Sequence, residues 1–167
     1  VYSYAVIAMV NPMFSEREME YLKSQRLARI ATAAIVSSKK EDKQEEEQEE
    51  QGSIQPDVVP VGFDFDGNYL YVSGMNLLKS TKYKNILKNN KDAIVIDDLR
   101  TVDPWDPLGI KIYGTADIVT RQGGYMESTG HSNYQYIRIT PNKKWSWGIE
   151  EPVFVEGEFK VNRAERS

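Results

Sequence analysis

Asp57-Val-Val-Pro-Val-Gly-Phe-Asp-Phe-Asp-Gly-Asn-Tyr-Leu-Tyr-Val-Ser-Gly74 runs directly into Met75-Asn-Leu-Leu-Lys79-Ser-Thr-Lys82, and the period of the apolar residues changes at the junction. Up to Gly74, Val59, Val61, Phe63 and Phe65 recur at every second position. Asp66-Gly67 supplies a two-residue turn, and Leu70 and Val72 resume the apolar face, which predicts a β-hairpin. Beyond Gly74, Leu78, Lys82, Tyr83, Ile86 and Leu87 recur at helical spacing as far as Asn89-Asn90, a pair that tolerates the left-handed geometry of a helix end. A helix is therefore expected over about 77–88. Its first turn would set free backbone N–H groups beside Lys79, Ser80, Thr81 and Lys82, a group suited to holding a phosphate. The same lysines, with Lys84 and Lys88, also read as an ordinary solvated helix face, and spacing alone does not separate the two.

Upstream, Phe14-Ser15-Glu16-Arg17-Glu18-Met19 carries a capping box, Ser15 with Glu18, and a hydrophobic staple, Phe14 with Met19. A helix should begin at Glu16, bury Met19 and Leu22, and end near Ser24-Gln25. Arg26 to Val36 reads as a strand. Downstream, Asp92 to Asp97 is a short buried strand and Gly109 to Val119 alternates over a long one, with further strands at Tyr134 to Ile139 and Val153 to Val161. Many strands with few helices predict a mainly β fold, a closed or partly closed antiparallel barrel. No internal repeat is visible.

A chain of 167 residues fits one domain. It holds 21 basic and 25 acidic residues, but positions 39–51 carry seven acids and three lysines, so the rest balances 18 against 18. A neutral body has no broad basic stripe for a nucleic acid. The acidic run lacks apolar residues and reads as a mobile loop over 38–52 within a single domain at 14–167, with 1–13 as an N-terminal extension. The absence of cysteine excludes disulfides, thiolate nucleophiles and Cys-based zinc sites. The one histidine, His131, lies in a polar, glycine-bearing stretch, so neither a catalytic triad nor a metal site is expected. No segment approaches the ~20 apolar residues that span a bilayer. Val1 to Val10 lacks a basic lead and a cleavage site, which leads to the expectation of a soluble, cytoplasmic protein.

Taken in order, Arg26-Leu-Ala-Arg-Ile-Ala-Thr32, Pro56-Asp-Val-Val-Pro-Val-Gly-Phe63, Ser80-Thr-Lys-Tyr-Lys-Asn-Ile-Leu-Lys-Asn89, Asp97-Asp-Leu-Arg-Thr-Val-Asp-Pro-Trp105, Ile110-Lys-Ile-Tyr-Gly-Thr-Ala116 and Ile137-Arg-Ile-Thr-Pro-Asn-Lys-Lys-Trp-Ser-Trp-Gly148 form one pattern. It resembles the pyridoxamine 5′-phosphate oxidase-like split-barrel flavoproteins, particularly their branch that uses the deazaflavin coenzyme F-420. The likeness spans about Phe14 to Trp147. It implies a six-stranded antiparallel split β-barrel of Greek-key type, a homodimer with cofactor sites at the interface, and hydride transfer between F-420 or FMN and an unsaturated or quinone-like small molecule.

Set on residues here, the resemblance implies a phosphate anchor at Ser80, Thr81 and Lys82 with Lys79 close by. It implies a ring lined by Arg29, Ala31 and Thr32 and by Val59, Pro60 and Val61, with Trp105, Lys111, Arg138 and Trp147 at the rim. Arg138, Lys111 and Tyr113 are the candidates for polarising a substrate. One departure is that Asp57-Val-Val-Pro-Val61 lacks the extra basic residues with which the vitamin oxidases of the family grip FMN, so oxidase activity is not expected and the deazaflavin or a loosely held flavin is favoured. Two alternatives stay open: a non-catalytic flavin, deazaflavin or haem carrier on the same barrel, and an adaptor that works through its acidic loop.

Overall fold

A computed structural model describes residues 13–36, 52–124 and 135–166. The expectations placed on 1–12, on the acidic loop and on His131 lie outside these residues. The element order is α1 (Glu16–Ser24), β1 (Leu27–Val36), β2 (Ser53–Phe65), β3 (Leu70–Val72), a 3-10 turn (Leu77–Lys79), α2 (Thr81–Lys88), β4 (Lys91–Leu99), β5 (Pro107–Thr120), β6 (Gln135–Trp147), β7 (Phe154–Val155), β8 (Glu158–Phe159) and β9 (Asn162–Glu165).

All ladder pairings are antiparallel and follow the order β3-β2-β1-β4-β5-β6-β9. A further β3–β6 pairing closes the first six strands into the expected barrel. Alternation decides what the barrel contains. Ile30 on β1, Phe63 on β2, Ile94 and Ile96 on β4, Ile110 and Ile112 on β5, and Ile137 and Ile139 on β6 are all buried together. Each such side chain contributes about 1.5–3 kcal/mol when fully buried.

α1 begins where the capping box predicts. Ser15 accepts from the Glu18 N–H (3.1 Å), and a Glu18 carboxylate oxygen accepts from the Ser15 N–H (2.9 Å). The second Glu18 oxygen accepts from Lys144 Nζ and from the Ser146 hydroxyl, both on β6. One residue thus caps the helix and fastens it to the barrel, with Leu22 and Phe14 packed in the core beside it.

Several local expectations shift. The hairpin loop proper is Gly67-Asn68, closed by the Asp66 N–H to the Tyr69 carbonyl (3.3 Å), because Gly67 supplies the positive φ of +100°. The lysine helix is two pieces, a 3-10 turn and α2, broken at Ser80. The break changes the phase, so Leu77 is buried while Leu78 is 53% exposed. The left-handed residue is Asn76 at the start of that turn; Asn89 is extended. β6 continues through Pro141 to Trp147, its register shifting opposite Tyr113 and Gly114. The strand expected over 153–161 folds instead into the β7–β8 hairpin around Glu156 and Gly157, both at positive φ.

Candidate functional site

Ser80 separates the two helical pieces and caps α2. Its hydroxyl accepts from the Tyr83 N–H (3.3 Å) and donates to the Leu77 carbonyl (2.6 Å), so its single donor hydrogen is committed to the turn. The next N–H groups, of Thr81 and Lys82, have no acceptor within the helix, as is general for a first turn. Lys82 stands half-buried beside them, and burial lowers its pKa against the opposing influence of Asp57. A half-buried ammonium next to free amide N–H groups suits an anion. Lys79 and Thr81 are exposed.

α2 lies against β1. Asn85 Nδ2 donates to Thr32 Oγ1 (3.1 Å), and Asn89 Nδ2 donates to the Ala33 carbonyl (2.9 Å). Thr32 pairs across the ladder with Asp57. β1 alternates strictly, with Ala28, Ile30, Thr32 and Ala34 inward, so Arg29, Ala31 and Ala33 face the other way. On that outer face a cleft of about 540 Å³ is lined by Ala31, Ala33, Pro56, Ala93, Tyr113 and Lys143, among others. Pro56 therefore lines the cleft while its neighbour Asp57 acts on Lys82. The α2 corner and the cleft stand back to back across the end of β2. Among the described residues, 53–62 of β2 pair with β1 only. An edge strand also accounts for Pro60, which needs no ring beside it to be tolerated.

The expected site residues fall into separate groups. Thr32 meets α2 through Asn85 and also lines the cleft with Ala31 and Tyr113, while Lys82 stands in the first turn of α2. Val61 is buried in the core and Val59 packs against it, so their side chains face away from the cleft. Arg29 pairs with Asp97 on the outer face (2.7 Å). Lys111 Nζ sits 4.1 Å from the centre of the Trp145 ring, which in turn meets Tyr113 edge-on at 4.7 Å. Trp147 is half-buried at the end of the same face, and Trp105 is 56% exposed in the β4–β5 connection. Arg138 is elsewhere. It forks onto Asp117 (3.0 and 2.6 Å) beside the Tyr69 ring, so the structure does not bring it to the cleft.

Sequence reasoning missed Trp145, the helix anchors Asn85 and Asn89, and Asp92. The last had a legible signal: Asp92 is in phase with Ile94 and Ile96, which places a carboxyl on the inward face of β4. It lies at the cleft wall, 7% exposed, with neither oxygen hydrogen-bonded, and burial raises its pKa to about 7. Among the described residues no acidic or histidine cluster suits a metal ion, and no helix is long and apolar enough to cross a membrane.

No family model matches the chain. It is 30% identical over 139 residues to a 5a,11a-dehydrotetracycline/5a,11a-dehydrooxytetracycline reductase of Streptomyces rimosus, covering 82% of this chain and 84% of that one. Among solved structures, a conserved hypothetical protein of Mycobacterium tuberculosis superposes with a TM-score of 0.56 at 19% identity, over 84% of this chain and 89% of that one. A candidate pyridoxamine 5′-phosphate oxidase of Corynebacterium glutamicum gives a TM-score of 0.48 at 19% identity, over 78% and 91% of the two chains.

Proposed function

The chain belongs to the pyridoxamine 5′-phosphate oxidase-like split-barrel family, and on that premise we propose that it is a cytoplasmic reductase that transfers hydride between a flavin-type cofactor and an unsaturated or quinone-like small molecule. The observation that carries this reading is the likeness, over 82% of the chain, to a protein named as a reductase. Coenzyme F-420 is the favoured cofactor and FMN the other, because β2 offers Asp57 and apolar residues where a second set of phosphate-binding cations would stand.

The residues fit such a group. When bound, its reduced ring supplies the hydride, and the protein's part is to bind, orient and polarise. Lys82 and the Thr81 and Lys82 N–H groups would hold the anionic tail, with Ser80 keeping that turn in shape. The outer edge of β2 over 53–62, which no other described strand pairs with, would offer backbone groups to the polar rim of the ring. Of the three candidates for polarising a substrate, Tyr113 is the one that lines the cleft; Arg138 is held by Asp117 and Lys111 by Trp145. A hydroxyl there can donate to an oxygen on which negative charge develops.

Titration with F-420 and with FMN, oxidised and reduced, followed by tryptophan fluorescence, tests the reading. Lys82→Ala is expected to weaken the bound cofactor by roughly 1–3 kcal/mol, the size of a charge-assisted hydrogen bond. Binding of neither cofactor overturns the reading, and unchanged affinity in the variant removes the α2 corner from it.

The working form in this proposal is a homodimer with the cofactor at the interface. Support comes from the outer sheet face, where Leu27 and Val58 (68% exposed) share a surface with Tyr113, Trp145 and Trp147. A second copy would cover that surface. Sedimentation at the mass of one chain, with or without cofactor, would rule the dimer out.

A further inference from the structure

Asp92 stands where three strands are least able to satisfy it. The register sets it opposite Thr32 on β1 and Gly114 on β5, beside the point where β5 and β6 slip between Tyr113 and Gly114. A Cβ on Gly114 would lie 3.0 Å from Asp92 Oδ1, so glycine leaves the carboxyl its room. Among the described residues both oxygens are buried without a hydrogen-bond partner, at the wall of the cleft. A charged carboxylate in such a place loses its hydration and gains nothing in return, whereas the neutral acid loses much less.

We propose that Asp92 is a proton-held latch in the cleft wall: with its proton it is tolerated inside the end of the barrel, and on releasing that proton to solvent it loosens the β1–β4–β5 seam and lets water in. The bulge beside Gly114 is the natural point of entry, since a register slip leaves the ladder locally incomplete. The groups around it leave burial dominant. β1 presents Thr32 and β5 presents Gly114, neither of which titrates in this range; α2 contributes the amides of Asn85 and Asn89, and its Lys82 feels the charge of Asp57. β6 and β9 bring Lys143 and Glu165, paired with each other at 3.6 Å, and Lys91 is exposed on β4 itself. The latch rests on this geometry and not on the reductase reading.

Burial raises the pKa from 3.8 to about 7, so between those values the folded protein keeps a proton that the unfolded chain has released. Stability from this group is complete below pH 4 and falls as pH rises to about 7. The test compares the full chain with Asp92→Asn, which removes the charge and keeps the shape. The thermal midpoint of the wild type should fall relative to the variant between pH 5 and pH 8, by on the order of 5–10 °C. The carbon-13 signal of the Asp92 carboxyl should titrate near neutrality. Amide exchange at Thr32, Ala93 and Gly114, corrected for its intrinsic pH dependence, should speed up between pH 6 and pH 8 in the wild type alone. A carboxyl titrating near 4, a midpoint difference constant with pH, or unchanged exchange in the wild type would each overturn the latch. Should the variant fail to fold, the titration and exchange of the wild type decide by themselves.

Discussion

Among the described residues three carboxyl groups are buried: Asp64 pairs with Arg121 (3.3 Å), and the other two, Glu18 and Asp92, are treated in opposite ways. Glu18, fully buried, accepts hydrogen bonds from Lys144 and Ser146 through one oxygen and from the Ser15 N–H through the other. Asp92, nearly as buried, has no partner for either oxygen. The first joins a helix to the barrel wall, with charge opposite charge. The second lies at the cleft wall, against a strand bulge and a glycine. Buried ionisable groups are tolerated when matched and costly when not. The contrast assigns the α1 side of the molecule to holding the fold and the cleft side to something other than stability.

The comparison can be broken in three places. The largest effect is expected from Glu18→Ala, which strands the Lys144 ammonium inside the protein and should cost roughly 3–5 kcal/mol in urea unfolding. A loss below ~1 kcal/mol would put both carboxyls in one class. Next comes Asp92→Asn, whose stability relative to the wild type should climb by up to roughly 4 kcal/mol as pH passes from 3.8 to about 7, the span over which burial moves this group. Constancy with pH would make Asp92 an ordinary carboxylate and erase the contrast. The smallest change belongs to Arg29→Ala. Its 2.7 Å pair with Asp97 is nearly half exposed on both sides, and its removal should alter stability by less than about 1 kcal/mol. A larger loss would mean that this surface is covered in solution, and would bear on the proposed dimer.

Much of the architecture was legible in periodicity. Val59, Val61, Phe63 and Phe65 alternate because one side of a strand is inside and the other out, and Ser15 and Glu18 announce α1 because a helix start has donors that only nearby side chains can reach. The errors arose where local rules compete. Leu78 fits a helical period as well as Leu77 does, and only the cap at Ser80 sets the phase. The strand read as ending at Ile139 runs on through Pro141 to Trp147 because β5 pairs alongside. The site was legible in parts. The α2 corner follows from Ser80, Thr81 and Lys82, which are adjacent in sequence, whereas Arg138 reads like a member of the site and is fixed elsewhere by Asp117.

By itself, then, the order of residues determined most of the barrel strands, the start of α1, the neutral body and the family likeness, all of which depend on neighbours within a few positions. The tertiary structure alone decided that Pro56 and Asp57 face opposite sides and that, among the described residues, 53–62 of β2 pair with β1 alone and Asp92 has no hydrogen-bond partner. Those facts depend on register between segments as far apart as Thr32, Asp92 and Gly114, and what faces a carboxyl across a ladder is set by the closing of the barrel.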